Sequence, residues 1–178
     1  MNKPTKILAI SGSLRENSFS TKILKHMGNF APENVTFTLT DKLEKLPHFN
    51  PDIDQDQAYA EVEAFRTELK SADGVIISTP EYAKGIPGVL KNALDWIVSS
   101  GEFIDKPTAV ISASPMTTGG EEAMRSLLLT LGMINAHIPD GATLGIPQVS
   151  LKIDKEGNIN DPSLKKDLEQ ILSILVNK

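Results

Sequence analysis

The sequence contains no cysteine, which excludes disulfide bonds, thiolate chemistry and cysteine-ligated metal clusters. No apolar run approaches the roughly 20 residues that a membrane-spanning helix needs, and the apolar segment near the N-terminus is too short for a signal peptide. Acidic residues outnumber basic ones by 23 to 18, and there is no block of basic residues. A chain of net charge −5 is poorly suited to nucleic acid or to an anionic membrane surface. These absences predict a cytoplasmic protein that binds neither nucleic acid nor a membrane.

Metal-binding patterns are also absent from the sequence. The three histidines, His26, His48 and His137, are widely separated, and no two of them stand at the spacing of metal ligands. Because there is no cysteine to complete a ligand set, each histidine is interpreted as a surface or packing residue. We therefore expect no metal site.

The sequence does contain a regular alternation of short apolar segments with amphipathic ones. The apolar segments predict five strands, at Lys6–Ser11, Val35–Thr40, Gly74–Pro80, Pro107–Ser114 and Ile134–Pro139. The amphipathic segments predict five helices, at Ser20–Phe30, Gln57–Ala72, Pro87–Ser99, Gly120–Met133 and Pro162–Asn177. The last helix has Asp161 as a candidate N-cap and Pro162 at its first position.

Strands that alternate with helices predict an α/β fold with a parallel sheet covered by helices on both faces. No linker or internal repeat interrupts the pattern, so we expect a single domain over residues 1–178. Right-handed crossovers leave two common strand orders open, Rossmann-like and flavodoxin-like. In both of them, ligands bind beyond the carboxyl ends of the strands. The loops after the first, third and fourth predicted strands are therefore the candidate site.

The first of these loops, SGSLRENSFST, combines hydroxyl groups with one guanidinium at the entrance of a predicted helix. Gly12 permits a tight turn, and Arg15 follows it among five hydroxyl side chains: Ser11, Ser13, Ser18, Ser20 and Thr21. Backbone N–H groups at a helix start bind anions, and this set of donors suits a phosphate monoester. The loop matches neither GxxxxGK[ST] nor GxGxxG, which disfavours ATP and a conventional dinucleotide site. Helix capping by the serines is the alternative interpretation.

The second loop, in STPEYAKGIPGVLKNALDW, is shaped mainly by proline and glycine. Pro80 and Pro87 restrict the backbone at its two ends, while Gly85 and Gly88 permit close approach of a ligand to the main chain. Besides the Tyr82 ring, the loop offers backbone N–H and C=O groups. That combination is suited to the polar rim of a planar heterocycle.

The third loop, SASPMTTGGEEAM, repeats the arrangement of strand, polar turn and helix. Ser114 and Thr117 are candidate ligand contacts, and Gly119 and Gly120 allow an unusual backbone angle. A Gly-Gly pair before a helix is commonly only a turn. Together, however, the three loops would place a phosphate site and a flat ring site along one edge of the sheet, as a mononucleotide with a planar ring requires.

The segments GSLRENSFS, PEYAKGIPGVLKNALDW and SASPMTTGG resemble the three flavin-contacting segments of the NADPH-dependent FMN reductase family, which includes quinone, azo-dye and chromate reductases. The resemblance covers residues 7–138, and the second segment is its most specific part. It implies a flavodoxin-like three-layer sandwich with strand order 2-1-3-4-5. It also implies non-covalent FMN, reduction by NADPH or NADH, a small-molecule electron acceptor, and a homodimer or homotetramer.

The resemblance also assigns roles to individual residues. Five correspond to the family's phosphate loop: Ser13, Arg15, Ser18, Phe19 and Ser20. Four correspond to the segment along the isoalloxazine ring: Pro80, Glu81, Tyr82 and Ala83. Ser114 corresponds to the ring contact of the third loop. Backbone groups of Tyr82 and Ala83 are the expected hydrogen-bond partners of the ring, and no catalytic side chain is expected because the cofactor carries the chemistry.

Two positions depart from the family pattern. Ala83 stands where relatives often have asparagine, so any side-chain hydrogen bond from that position is missing. Met116 stands where many relatives have glycine, and its larger side chain would narrow access to the ring or change which ring face is open. Two other functions fit the same fold: an electron carrier that accepts electrons from a partner reductase, and a mononucleotide-binding protein that never binds flavin. Arg15 and the single aromatic residue of the second loop favour the enzyme over the carrier.

Overall fold

The computed structural model of the protein describes residues 3–54 and 59–176. Within these residues, five parallel strands form one sheet in the order β2-β1-β3-β4-β5. The strands are β1 (Thr5–Ser11), β2 (Val35–Leu39), β3 (Gly74–Thr79), β4 (Thr108–Ala113) and β5 (Thr143–Ile146). This is the flavodoxin-like order, so the predicted fold class is confirmed and the Rossmann-like alternative is excluded.

Six α-helices occur in the described residues. They are α1 (Phe19–Asn29), α2 (Ala60–Ser71), α3 (Gly88–Asp95), α4 (Glu121–Met133), α5 (Val149–Lys152) and α6 (Pro162–Val176). The predicted helix start at Gln57 and helix end at Asn177 lie outside the described residues. Asp161 caps α6 as predicted, because its carboxylate accepts a hydrogen bond of 2.9 Å from the Leu164 N–H. No helix in the described part of the chain has the length and apolar character to cross a membrane.

The core has two halves, one on each face of the sheet. Successive residues of a strand point to opposite faces, and β1 shows this directly. Ile7 and Ala9 pack with α1, α5 and α6, whereas Leu8 and Ile10 pack with α2, α3 and α4. The central strands β3 and β4 are buried along their whole length, as expected for parallel strands covered on both faces. The helices therefore cover the faces and leave the ends of the strands open.

The predicted fifth strand, Ile134–Pro139, is wrong. The chain turns at Asn135, whose φ is 56°, and only His137 then forms a bridge with the chain next to β4. Pro139 has no N–H to donate to a ladder, and Gly141 turns the chain again with a φ of 78°. Regular pairing with β4 starts only at Thr143. The strand thus lies within residues 140–161, to which the pattern assigned neither a strand nor a helix.

The long connection between β2 and α2 is fixed to α3 by hydrogen bonds. The carbonyl oxygen of Pro47 accepts hydrogen bonds from Trp96 Nε1 and Asn92 Nδ2, both at 2.9 Å. The Phe49 N–H donates to Asn92 Oδ1 at 2.8 Å, and the Phe49 ring meets Trp96 edge-on. Trp96 itself is fully buried. Residues 47–49 are therefore held in place although they belong to a loop.

A buried ion pair fixes the same connection further along. Arg66 on α2 donates to Asp54 at 2.7 Å and to the Trp96 carbonyl at 2.7 Å, and Ser99 also donates to Asp54. Burial alone would raise the pKa of Asp54, but the hydrogen bonds from Ser99 and Arg66 outweigh it and lower the pKa below its ordinary value. The charged form of Asp54 thus stabilises the folded state.

This pair predicts an acid-sensitive contribution to stability. Because the folded-state pKa of Asp54 lies below the unfolded one, its contribution is complete above an unfolded pKa of about 4 and is lost as the pH falls through the folded value. Asp54→Asn is expected to cost about 1–2 kcal/mol at pH 7, since Arg66 keeps two other partners. Urea unfolding at pH 7, 5 and 3.5 measures this. A difference in the free energy of unfolding between Asp54→Asn and wild type that does not decrease as the pH falls would contradict the lowered pKa of Asp54.

Candidate functional site

The three predicted loops lie together at the carboxyl edge of the sheet. β1 and β3 are neighbours, with Ser11 of β1 opposite Ser78 of β3, and β4 follows on the other side of β3. From β1 the chain proceeds outward to β2 and then returns to β3, so the strand order reverses beside β1. This topological switch point is where ligands bind in open α/β sheets. The three loops therefore lie where a ligand site is expected.

The first loop turns sharply at Gly12, and the turn requires glycine. The Gly12 N–H donates to the Ser78 carbonyl at 2.8 Å, which brings the backbone against β3. A Cβ atom at this position would lie 2.8 Å from Thr79 Oγ1, closer than van der Waals contact permits. Ser11 Oγ and Thr21 Oγ1 lie 2.8 Å apart and connect the two ends of the loop. These contacts bring the loop back over the start of α1.

The start of α1 has the features of an anion site rather than a capped helix. Ser18 occupies the N-cap position, but its side chain makes no capping hydrogen bond. Among the residues that the structure describes, the N–H groups of Phe19 and Ser20 also have no hydrogen-bond partner. The Ser20 hydroxyl is buried and likewise lacks a partner. Because buried polar groups are normally paired, these donors favour an anion over the capping alternative.

The second loop is a tight two-residue hairpin turn. Tyr82 and Gly85 exchange both backbone hydrogen bonds, at 2.9 and 3.0 Å, and Ala83 and Lys84 between them have φ values of 50° and 64°. Two successive positive φ angles define the turn type that favours asparagine and glycine. The Tyr82 N–H is therefore occupied by Gly85. Of the two backbone donors expected to reach the ring, only that of Ala83 is unpaired in the described structure.

Ala83 is strained, because alanine has neither the freedom of glycine nor the local hydrogen bonds of asparagine at positive φ. Ala83→Asn is expected to stabilise the protein by about 1 kcal/mol. Chemical unfolding measures the effect, with Ala60→Asn at the exposed start of α2 as the control. The control is expected to be neutral or slightly destabilising. A lower free energy of unfolding in Ala83→Asn than in wild type would contradict the conclusion that Ala83 is strained.

Glu81 connects the second loop to the helix of the third. Its Oε2 atom accepts hydrogen bonds from the N–H groups of Glu122 and Ala123, at 3.0 and 3.2 Å, in the first turn of α4. The N-cap residue of α4, Gly120, has no side chain to do this. A carboxylate at this position accepts hydrogen bonds from the otherwise unpaired N–H groups of the first turn and interacts favourably with the positive end of the helix dipole. The Glu81 side chain therefore positions two loops relative to each other, and a direct contact with a ligand stays a prediction.

The third loop is held by its own serines. Ser114 Oγ accepts a hydrogen bond from the Met116 N–H at 3.1 Å, and Ser112 Oγ donates to the Gly119 carbonyl at 2.8 Å. Gly120 has a φ of 80°, and a Cβ atom there would lie 3.2 Å from the Ser112 Cβ, so this position needs glycine. The Met116 side chain is 68% exposed. Its effect on access to the ring stays a prediction.

A pocket of about 520 Å³ lies between the first and second loops, within the size range of small-molecule sites. Of the predicted residues it brings together Ser13, Arg15 and Tyr82, and Ser13 Oγ lies 3.3 Å from the Tyr82 hydroxyl. The other predicted residues lie outside its lining: Ser18, Phe19, Ser20, Pro80, Glu81, Ala83 and Ser114. The pocket thus contains part of the candidate site, and the remaining predicted residues lie outside it.

One polar residue of this pocket, His48, was not expected there from the sequence. His48 belongs to the connection between β2 and α2 and was interpreted as a surface or packing residue. Its position depends on contacts of its neighbours Pro47 and Phe49 with α3, more than 40 residues away. Only the length of the connection after β2, together with its prolines, pointed to a structured loop.

An open parallel sheet with unpaired donors at a helix start beside its switch point is typical of flavodoxin-like proteins that bind a mononucleotide. Comparison with known families identifies the family to which the chain belongs. The model of the family described as NADPH-dependent FMN reductase matches residues 5–150, and the chain belongs to this family. Membership makes the chain an oxidoreductase that works with FMN and a reduced nicotinamide cofactor, as the resemblance of its loops implied.

Individual relatives agree with this membership. An NAD(P)H-dependent FMN reductase of Pseudomonas aeruginosa is 31% identical, over 98% of this chain and 95% of its own length. A 2-hydroxy-1,4-benzoquinone reductase of a Burkholderia species is 33% identical, over 94% and 92%. Among solved structures, the flavoenzyme NAD(P)H:(acceptor) oxidoreductase FerB of Paracoccus denitrificans aligns with a TM-score of 0.85 and 27% identity, over 97% and 96%.

Proposed function

We propose that the protein is an FMN-dependent NAD(P)H oxidoreductase that reduces a small-molecule acceptor of the quinone type. Azo compounds, free flavin and chromate-like oxidants are alternative acceptors for the same site. The observation that supports a bound flavin phosphate most directly is the start of α1. There, unpaired N–H groups and a buried, unpaired Ser20 hydroxyl lie near the exposed Arg15.

The residues present fit FMN in their donor chemistry. A phosphate monoester carries a charge close to −2 and needs several hydrogen-bond donors, and helix starts supply them without desolvating a second charge. The hydroxyls of Ser13, Ser18 and Ser20 and the N–H of Phe19 would bind the phosphate. Within residues 3–54 and 59–176, the Arg15 side chain has no ion-pair partner of its own. The guanidinium is therefore available to the ligand.

The second and third loops would hold the ring. Pro80 and the hairpin at Tyr82 place main-chain groups along one edge, with the unpaired Ala83 N–H as the donor that would orient it. Ser114 would contact the ring from the third loop through its hydroxyl hydrogen, since its oxygen already accepts from Met116. The Glu81 carboxylate fixes the spacing between these two loops. Rigid loops of this kind reduce the ordering cost of binding.

When bound, FMN supplies the redox chemistry by accepting two electrons from the nicotinamide cofactor and passing them to the acceptor. The side chains of this protein bind and orient the reactants and leave an open pocket for them beside the flavin. No side chain needs to act as an acid or base in the transfer from NAD(P)H. Quinone-type acceptors are supported by the names of the relatives, which include quinone reductases of Pseudomonas putida and Escherichia coli.

We also propose that the protein works in the cytoplasm as a homodimer or homotetramer. Four large apolar side chains at the α3–α4 side of the molecule are between 49% and 73% exposed: Val98, Ile104, Leu129 and Met133. Leu129 and Met133 are one helical turn apart and therefore lie on the same face of α4. A second copy of the chain would cover such a face. Light scattering during size-exclusion chromatography measures the mass of the assembly.

The proposed function is tested by the oxidation of NADPH and NADH at 340 nm, with FMN-loaded protein and 1,4-benzoquinone as acceptor. We expect turnover that needs both the protein and the quinone. An electron carrier would behave differently, because it would oxidise the nucleotide only after a partner reductase is added. That result would support the function of an electron carrier and contradict that of an NAD(P)H oxidoreductase.

A further inference from the structure

The pocket between the first two loops extends beyond the residues that would hold FMN. It shares Ser13, Arg15 and Tyr82 with that set, but the first turn of α1 and Ser114 do not line it. Its remaining wall comes from Gly12, Leu14, His48 and the residues at the start of α3. A molecule that exchanges electrons with the flavin must lie beside it, and this pocket adjoins Ser13, Arg15 and Tyr82 of the predicted flavin contacts.

His48 differs in chemistry from the rest of that additional wall. Leu14, Pro87, Gly88 and Val89 present apolar or backbone surface, while the histidine is exposed and carries an imidazole. The other polar side chains of the pocket have other partners: the Ser13 and Tyr82 hydroxyls contact each other, and Arg15 would bind phosphate. A planar apolar ligand with a polar oxygen would thus find one directional donor here.

The backbone on both sides of His48 is fixed. The Pro47 carbonyl accepts two hydrogen bonds from α3 and its C-terminal end, and the Phe49 N–H donates a third to Asn92. The Phe49 ring also packs edge-on against Trp96, with ring centroids 5.1 Å apart. The backbone of His48 is therefore held in place, and only its side-chain rotation has to be ordered when a ligand binds.

We propose that His48 is a specificity residue for the acceptor: its imidazole N–H donates a hydrogen bond to a carbonyl oxygen of a quinone bound in this pocket. The inference rests on the proposed function and adds the acceptor's binding place to it. Arg15 and the Tyr82 hydroxyl are the other charged or titratable groups of the pocket. The flat apolar wall would contact the quinone ring, and His48 would fix its orientation.

Binding of 1,4-naphthoquinone to the oxidised, FMN-loaded protein tests this without turnover, since no electron donor is present. We expect His48→Leu to raise the dissociation constant about five- to tenfold, the value of one neutral hydrogen bond. His48→Gln keeps an N–H donor and is expected to stay within about twofold of wild type. His137→Leu is the matched control, because His137 is an equally exposed histidine that lies outside the pocket.

Kinetics supply a second readout. His48→Leu is expected to raise KM for the quinone with little change in kcat, the sign of lost ground-state binding. The affinity for FMN is expected to match wild type, because His48 is not among the predicted FMN contacts. Equal quinone affinity in His48→Leu and wild type would overturn the proposal, as would an equal loss in His48→Leu and His48→Gln. Failure of wild type to oxidise NADPH would instead count against the proposed function, because quinone binding is measured without a donor.

Discussion

Replacing Arg15 with alanine is expected to raise the dissociation constant for FMN by one to two orders of magnitude. A hydrogen bond that involves a charged group contributes about 1.5–3 kcal/mol, and each 1.4 kcal/mol is a factor of ten. Arg15 is exposed and has no ion-pair partner in the described structure, so its removal leaves no buried charge behind. The loss should therefore appear in ligand affinity and leave the stability of the unliganded protein unchanged.

Comparison with riboflavin makes this prediction specific. Riboflavin lacks the phosphate, so its affinity is expected to be the same in Arg15→Ala and wild type. Arg15→Lys keeps the charge but not the forked donor geometry, and an intermediate affinity for FMN is expected. Arg125→Ala is the control, because Arg125 is an exposed arginine paired with Glu122 on α4. FMN affinity that does not change in Arg15→Ala would remove this residue from the phosphate site.

Replacing Trp96 with alanine is expected to lower the free energy of unfolding by about 3–5 kcal/mol. The indole is fully buried, contacts Phe49 edge-on and donates to the Pro47 carbonyl. Its removal leaves a cavity and also releases the connection after β2. In a protein of this size, the expected fall in melting temperature is about 6–20 °C, which circular dichroism measures.

Trp96→Phe separates the two contributions of the indole. Phenylalanine retains most of the apolar volume but has no N–H, so a loss of about 1 kcal/mol is expected from the hydrogen bond. The Pro47 carbonyl keeps its second donor, Asn92, which limits the cost. The quinone affinity of this variant should fall slightly, because His48 lies beside Pro47. A cost below 1 kcal/mol in Trp96→Ala would contradict its role as the anchor of the connection.

The sequence predicted the parts of the fold that depend on local pattern. The buried strands β1, β3 and β4 were identified because parallel strands covered on both faces are continuously apolar. The fifth strand was placed too early, because residues 134–139 alternate apolar and polar side chains over six positions, whereas the true edge strand at Thr143–Ile146 has only four residues. At an edge, pairing with β4 decides the structure and local hydrophobicity does not. The strand order itself was implied by the resemblance, while local pattern left two orders open.

Some features of the candidate site could also be predicted from local sequence, while others depend on residues far apart in the chain. The polar start of α1 was predictable because hydroxyl residues, a glycine turn and a helix follow one another in sequence. The role of Glu81 was not, because its carboxylate bonds to N–H groups 41 and 42 residues further along the chain. His48 was missed for the same reason, since its position depends on α3. The strain at Ala83 depends on φ, which the residue type alone does not give.

The central claim is that this chain holds FMN and takes electrons for it directly from a nicotinamide cofactor. The most direct test is the visible absorbance spectrum of protein that has been loaded with FMN and desalted, recorded without oxygen before and after NADPH and then NADH. We expect the flavin to be retained and its band near 450 nm to bleach with at least one of the two nucleotides. Retained flavin that neither nucleotide bleaches would contradict the claim and indicate an electron carrier instead.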